Sequence, residues 1–145
     1  MILKKNSKNL LKNTIRKIRN NQYRLPRLYE KLEYYEVKMI GYNSPSFEPR
    51  YSSSSPSHLS NLDYWLEKVW VVENQINNIE KEIREFYKFV DSLSVLEKNI
   101  VERLLDYMRV SDIINLNKIN RNMYYFKIKS IEKKLKTYLD FIKST

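Results

Sequence analysis

No cysteine occurs among the 145 residues, which excludes a disulfide framework and a thiolate zinc site and fits the reducing cytoplasm. One glycine and four prolines leave little material for the tight turns of a sandwich or barrel, so an all-α fold is expected. Long apolar runs are missing too. Nothing approaches the roughly 20 residues needed to span a bilayer, and Met1 to Asn20 lacks the unbroken core of a signal peptide. A soluble protein with no membrane partner is the expectation. Catalytic material is equally sparse. The single histidine, His58, stands in a Ser/Pro-rich stretch that offers it no fixed partner, which makes it a poor general base or ligand. There is no glycine-rich phosphate loop, and Glu80, Glu82 and Glu85 read as a solvated helix face. No catalytic residue, metal ligand or cofactor is expected, and the chain does not read as an enzyme.

Cations are plentiful and unevenly placed. Met1 to Tyr29 holds nine Lys or Arg and no acid, Glu30 to Leu93 holds seven against eleven acids, and Ser94 to Thr145 holds eleven against six, giving +10 overall. Two basic ends therefore flank an acidic middle, and a polyanion would be met by the ends. The abundance of Asn, Lys, Ile and Tyr also matches an AT-rich coding sequence, which raises Lys content independently of any ligand.

Four regions follow from pattern. Residues 1–41 form a basic helical region: Ile2, Leu3, Leu10, Leu11, Ile15 and Ile18 make a rough stripe, a second helix is expected to start after Pro26, and Gly41 is placed to cap it. Residues 42–60 read as a Ser/Pro linker, with three prolines and the Ser52 to Ser55 run. Ser60 and Asp63 resemble a capping box opening a long helix over 61–93. There Trp65, Val69, Val72, Ile76, Ile79, Ile83, Phe86, Val90 and Leu93 alternate at spacings of 4 and 3, a heptad seam that suits either a coiled-coil homodimer or internal packing against the preceding helix.

Residues 94–145 carry the densest functional signal. Ser94 and Glu97 spell a capping box for a helix holding Ile100, Val101, Leu104, Leu105 and Met108, broken at Val110; Ser111 is placed to cap a short helix with Ile113 and Ile114. A longer basic helix begins near Asn120, with Tyr124, Ile128, Ile131, Leu135, Tyr138 and Ile142 on one face. Lys118, Arg121, Lys127, Lys129, Lys133, Lys134 and Lys136 stand around it against one acid, Glu132. Short helix, turn and basic helix in this order outline a helix-turn-helix reader of double-stranded DNA. Arg121 suits the acceptors of guanine, and Asn120 or Asn122 the acceptor and donor of adenine. Tyr125 or Phe126 suits a thymine methyl or a sugar, while Lys118, Lys129 and Lys133 suit phosphates.

The run from Leu93 (Leu-Ser-Val-Leu-Glu-Lys-Asn-Ile-Val-Glu-Arg-Leu-Leu), then Ser-Asp-Ile-Ile, then Ile119-Asn120-Arg121-Asn122-Met123-Tyr124-Tyr125, resembles region 4 of sigma-70-type factors. With the tyrosine-rich upstream helix and the Pro/Ser linker, the layout resembles small phage-encoded transcriptional activators of the RinA and ArpU type. The resemblance covers the last fifty residues by motif and the remainder by layout. It places Asn120 at the family's Ser, Arg121 at its Arg, Tyr125 at its Tyr or His and Ile128 at the following core position. It implies activation of phage or prophage late genes together with bacterial RNA polymerase. Two departures are visible: the turn lacks the usual glycine, so Asn117 is expected to supply any left-handed conformation, and Leu116 stands one position early. A coiled-coil adaptor that ignores DNA and a basic protein of the membrane surface, using Met1 to Asn20, are the readings from other classes.

Overall fold

The computed structural model describes residues 9–43 and 55–144, with side chains described for 9–41 and 61–144. Among the described residues the chain is all-helical. Its helices are α1 (Leu10–Asn43), α2 (Ser55–Asp91), α3 (Val95–Leu105), α4 (Val110–Asn117) and α5 (Arg121–Ser144). None is long and apolar enough to cross a membrane.

Helix α1 corrects the expectation of two helices meeting at Pro26. It runs unbroken for 34 residues with Pro26 inside it and Gly41 short of its end. An interior proline removes one backbone donor and costs about 3 kcal/mol. Pro26 is on the exposed side, where water reaches the displaced backbone groups, and the apolar phase continues across it. Leu11, Ile18, Leu25, Leu32 and Met39 recur every seven residues, and all are buried or half-buried. Helix α2 begins earlier than the Ser60–Asp63 box, so Ser55 to Ser60, His58 included, are helical; Tyr42 and Asn43 close α1. Of the expected 42–60 linker, residues 44–54 lie outside the described ones, as does the His58 side chain.

The chain divides into two compact units, residues 22–81 and the combination of 1–21 with 82–145. In the first, α1 and α2 run antiparallel: Tyr29 hydrogen-bonds Glu80 at 2.7 Å, whereas Tyr35, further along α1, meets Trp65, earlier in α2, at 5.7 Å between ring centroids. Leu28, Val69, Val72, Ile76 and Ile79 are buried there. Tyr34, Tyr35 and Tyr64 surround Trp65 with ring centroids 5.0 to 6.4 Å away. The accepting carboxylate of Glu80 raises the Tyr29 phenol above its ordinary pKa.

The other unit holds the larger core. Leu11, Ile15 and Ile18 of α1 join Phe86, Phe89 and Val90 of α2, Ile100, Val101 and Leu105 of α3, Ile113 of α4 and Tyr124, Ile131 and Leu135 of α5. Seven of the nine seam residues are buried within one chain; Trp65 and Ile83 are half-buried. The heptad pattern is thus spent on internal packing, where burying a large aliphatic or aromatic side chain contributes roughly 1.5–3 kcal/mol.

Candidate nucleic-acid interface

Three short-range devices set the position of α5. The first is the capping box expected from Ser94 and Glu97. The Ser94 hydroxyl accepts from the Glu97 N–H at 3.3 Å, and Glu97 Oε1 accepts from the Ser94 N–H at 3.2 Å. Glu97 is 1% exposed, and its carboxylate also accepts from Ser130 Oγ at 2.8 Å and Lys134 Nζ at 2.7 Å, so the start of α3 is bolted to the middle of α5. Burial alone would raise the Glu97 carboxyl; the donors from Lys134, Ser130 and Ser94 outweigh it and hold the pKa at about 2.

The second device is a pair of helix ends closed without glycine. At the end of α3, Tyr107 takes φ 66°, with its N–H on the Leu104 carbonyl at 3.1 Å and the Met108 N–H on the Arg103 carbonyl at 3.0 Å. At the end of α4, Lys118 takes φ 54°, with its N–H on Asn115 at 3.3 Å and the Ile119 N–H on Ile114 at 3.2 Å. Both are Schellman closures. The left-handed residue is therefore Lys118 and not Asn117, whose amide instead donates to the Ile113 carbonyl at 2.9 Å. The start of α4 also differs from expectation. Val110 opens it rather than breaking its predecessor, Arg109 precedes it and pairs with Asp112 at 3.6 Å, and Ser111 lies inside the helix.

The third device starts α5. Asn120 Oδ1 accepts the Met123 N–H at 2.7 Å, an N-cap that fixes the first turn. That bond engages one lone pair of the Asn120 amide oxygen and orients the side chain along the start of the helix. Asn122, two residues further on, is exposed.

On the helix so placed, Tyr124, Ile131 and Leu135 are buried and Ile128, Tyr138 and Ile142 half-buried. All eight residues expected to contact nucleic acid, Lys118, Asn120, Arg121, Asn122, Tyr125, Phe126, Lys129 and Lys133, are exposed. Tyr125 is 50% and Phe126 66% accessible, two neighbouring aromatics on the same exposed stretch of α5. Lys136 joins this face, while Lys134 is drawn off it by Glu97 and Lys127 is half-buried. The loss of Lys134 is foreshadowed by the Ser94–Glu97 box, because a buried carboxylate requires a cation or several donors.

Sequence reasoning passed over a groove of about 470 Å³ beside this face, lined by Lys12, Arg16 and Arg19 of α1, Leu104, Val110, and Tyr124, Tyr125 and Glu132 of α5. Arg19 is committed to structure, donating to the Leu104 carbonyl and lying 4.0 Å over the Tyr107 ring. Burial raises the Glu132 carboxyl above its ordinary value. No group of His, Cys, Asp or Glu among the described residues is arranged to hold a metal ion. Comparison with protein-family models, curated proteins and solved structures returns no match.

Proposed function

We propose that the chain is a sequence-specific double-stranded DNA-binding transcriptional activator, of phage or prophage late genes, acting with bacterial RNA polymerase. The observation that carries the DNA reading is the arrangement of α4, the three residues Lys118 to Asn120, and α5. Two helices joined by a short turn leave the second with a buried apolar stripe and an opposite face of Arg, Lys, Asn, Tyr and Phe. That composition supplies base-edge donors at the start of the helix and phosphate partners about two and three turns further on. The gene class and the polymerase partner rest on the resemblance to RinA and ArpU activators and to sigma region 4.

A coiled-coil adaptor or a homodimer along residues 61–93 would need residues other than the seam, because the seam is already covered inside the chain. The test is selection of bound fragments from random and phage genomic duplex DNA, followed by salt-titrated affinity on the enriched sequence. A shared motif is expected, with affinity falling by a log-log slope of roughly 0.9 per phosphate contacted. Failure to enrich any sequence, together with a flat salt response, refutes the proposal.

A further inference from the structure

Lys12 and Arg16 stand four residues apart on α1, both exposed and neither in an ion pair among the described residues. The groove they line has Tyr125 on its opposite wall, at the end of α5 that carries Arg121 and Asn122. We infer that this groove is a second part of the DNA interface: Lys12 and Arg16 hold one phosphate strand while the start of α5 faces the bases. The inference rests on the reading of α5 as a DNA-reading helix and adds to it a role for the basic first helix.

The geometry follows from dimensions of the duplex. A major groove about 12 Å wide accepts one helix between two phosphate walls. Packed helices lie roughly 8–10 Å apart, so the outward cations of a helix beside the reading helix fall where a wall runs. Helix α1 is that neighbour, since Leu11 and Ile15 share the core with Tyr124 and Ile131. Arg19 anchors this flank of α1, its guanidinium tied to Leu104 and stacked on Tyr107, and the groove lined by Lys12, Arg16 and Tyr125 adjoins that anchor. Glu132 lines the same groove and is repelled by phosphate, so the strand is met at the Lys12, Arg16 and Tyr125 portion.

The test uses the full chain carrying Lys12→Ala and Arg16→Ala together, with Lys88→Ala and Lys143→Ala as a pair of equal charge change. Affinity is measured against salt on the selected duplex and on an unrelated one, and phosphate-ethylation interference maps the strand contacts. Both altered residues are exposed, so circular dichroism and the thermal midpoint should match the parent. The Lys12/Arg16 pair should weaken both duplexes by the same factor, roughly tenfold or more at low salt, and reduce the slope by about two units. Ethylation should cease to interfere at phosphates flanking one side of the contacted major groove. The control pair should leave the interference pattern unchanged. A folded Lys12/Arg16 variant with parental slope and pattern overturns this inference while leaving the DNA reading intact. A parent protein that binds no duplex overturns both. If the pair abolishes binding to vesicles of anionic phospholipid and leaves duplex binding untouched, the groove serves a lipid surface and the inference is wrong.

Discussion

Replacing Glu97 by Gln should remove most of the acid sensitivity of this fold. The carboxylate is 1% exposed and takes four hydrogen bonds, two from Ser94 and one each from Ser130 and Lys134, between 2.7 and 3.2 Å. Its pKa is held at about 2 against an ordinary 4.5, a difference corresponding to about 3 kcal/mol at neutral pH. Because the Lys134 side chain is 51% exposed, solvent screens that partner, and about 2–3 kcal/mol is the working figure. The sign follows from the depressed value. The folded state binds its proton less readily than the unfolded one, so the contribution is complete above pH 4.5 and drains away as pH falls toward about 2. Urea unfolding of the parent from pH 7 to pH 2.5 should show this decline. The Gln variant should start about 2 kcal/mol lower at pH 7, retain part of the Ser94 cap, and run nearly flat through the same window. Lys134→Met in the Glu97→Gln background should cost much less than in the parent. Parallel acid limbs in parent and variant would refute the assignment, because the lost stability would then come from other carboxylates.

The other predictions concern reading, turn chemistry and the seam. Arg121→Ala should cost about 1–3 kcal/mol on the selected operator and relax preference at one base pair. Lys133→Ala should weaken every sequence alike and lower the salt slope by about one unit; indistinguishable losses would mean that the face is only an electrostatic anchor. Lys118→Gly relieves a left-handed residue at φ 54° and should raise stability by about 0.5–1 kcal/mol in urea melts while reducing DNA affinity, a combination that a structural role alone would not give. Ile76→Asp places a carboxylate at a site 4% exposed and should cost several kcal/mol of order, seen by circular dichroism as unfolding. A folded monomer formed from a parental dimer would show instead that the seam is an intermolecular contact.

What the sequence disclosed depended on how local the determining physics was. The α2 helix was legible because apolar residues recurring every 3.5 positions over many turns spell a helical stripe, though that period alone left a dimer seam and internal packing both open, and the Ser94–Glu97 box because both halves lie within one turn. The continuity of α1 through Pro26 was obscured by local propensity. The signal that overrides it, the unbroken phase from Leu11 to Met39, appears only when the stripe is followed across the proline. The exchange of Asn117 for Lys118 is a one-residue question of register, settled by where Ile113 and Ile119 must sit rather than by intrinsic left-handed preference. The exposed face of α5 followed from its buried one. The approach of Lys12 and Arg16 to Tyr125 joins residues more than a hundred positions apart, and no spacing within either helix encodes it.

That separation also governs when the fold can form. The core that holds α5 takes Leu11, Ile15 and Ile18 from the beginning of the chain and Ile131 and Leu135 from near its end, while residues 22–81 make a unit of their own between them. On a ribosome adding about 5–20 residues each second, the intervening hairpin is complete while α1 still exposes its first apolar stripe. The stripe waits for several seconds, and its nine flanking cations with no acid among them keep it dispersed in that interval. Contacts of such long sequence separation place the last core late in folding. The core beneath the exposed face of α5 is therefore closed only after Leu135 has been added, and a fragment limited to residues 94–145 lacks the α1 and α2 partners of that core.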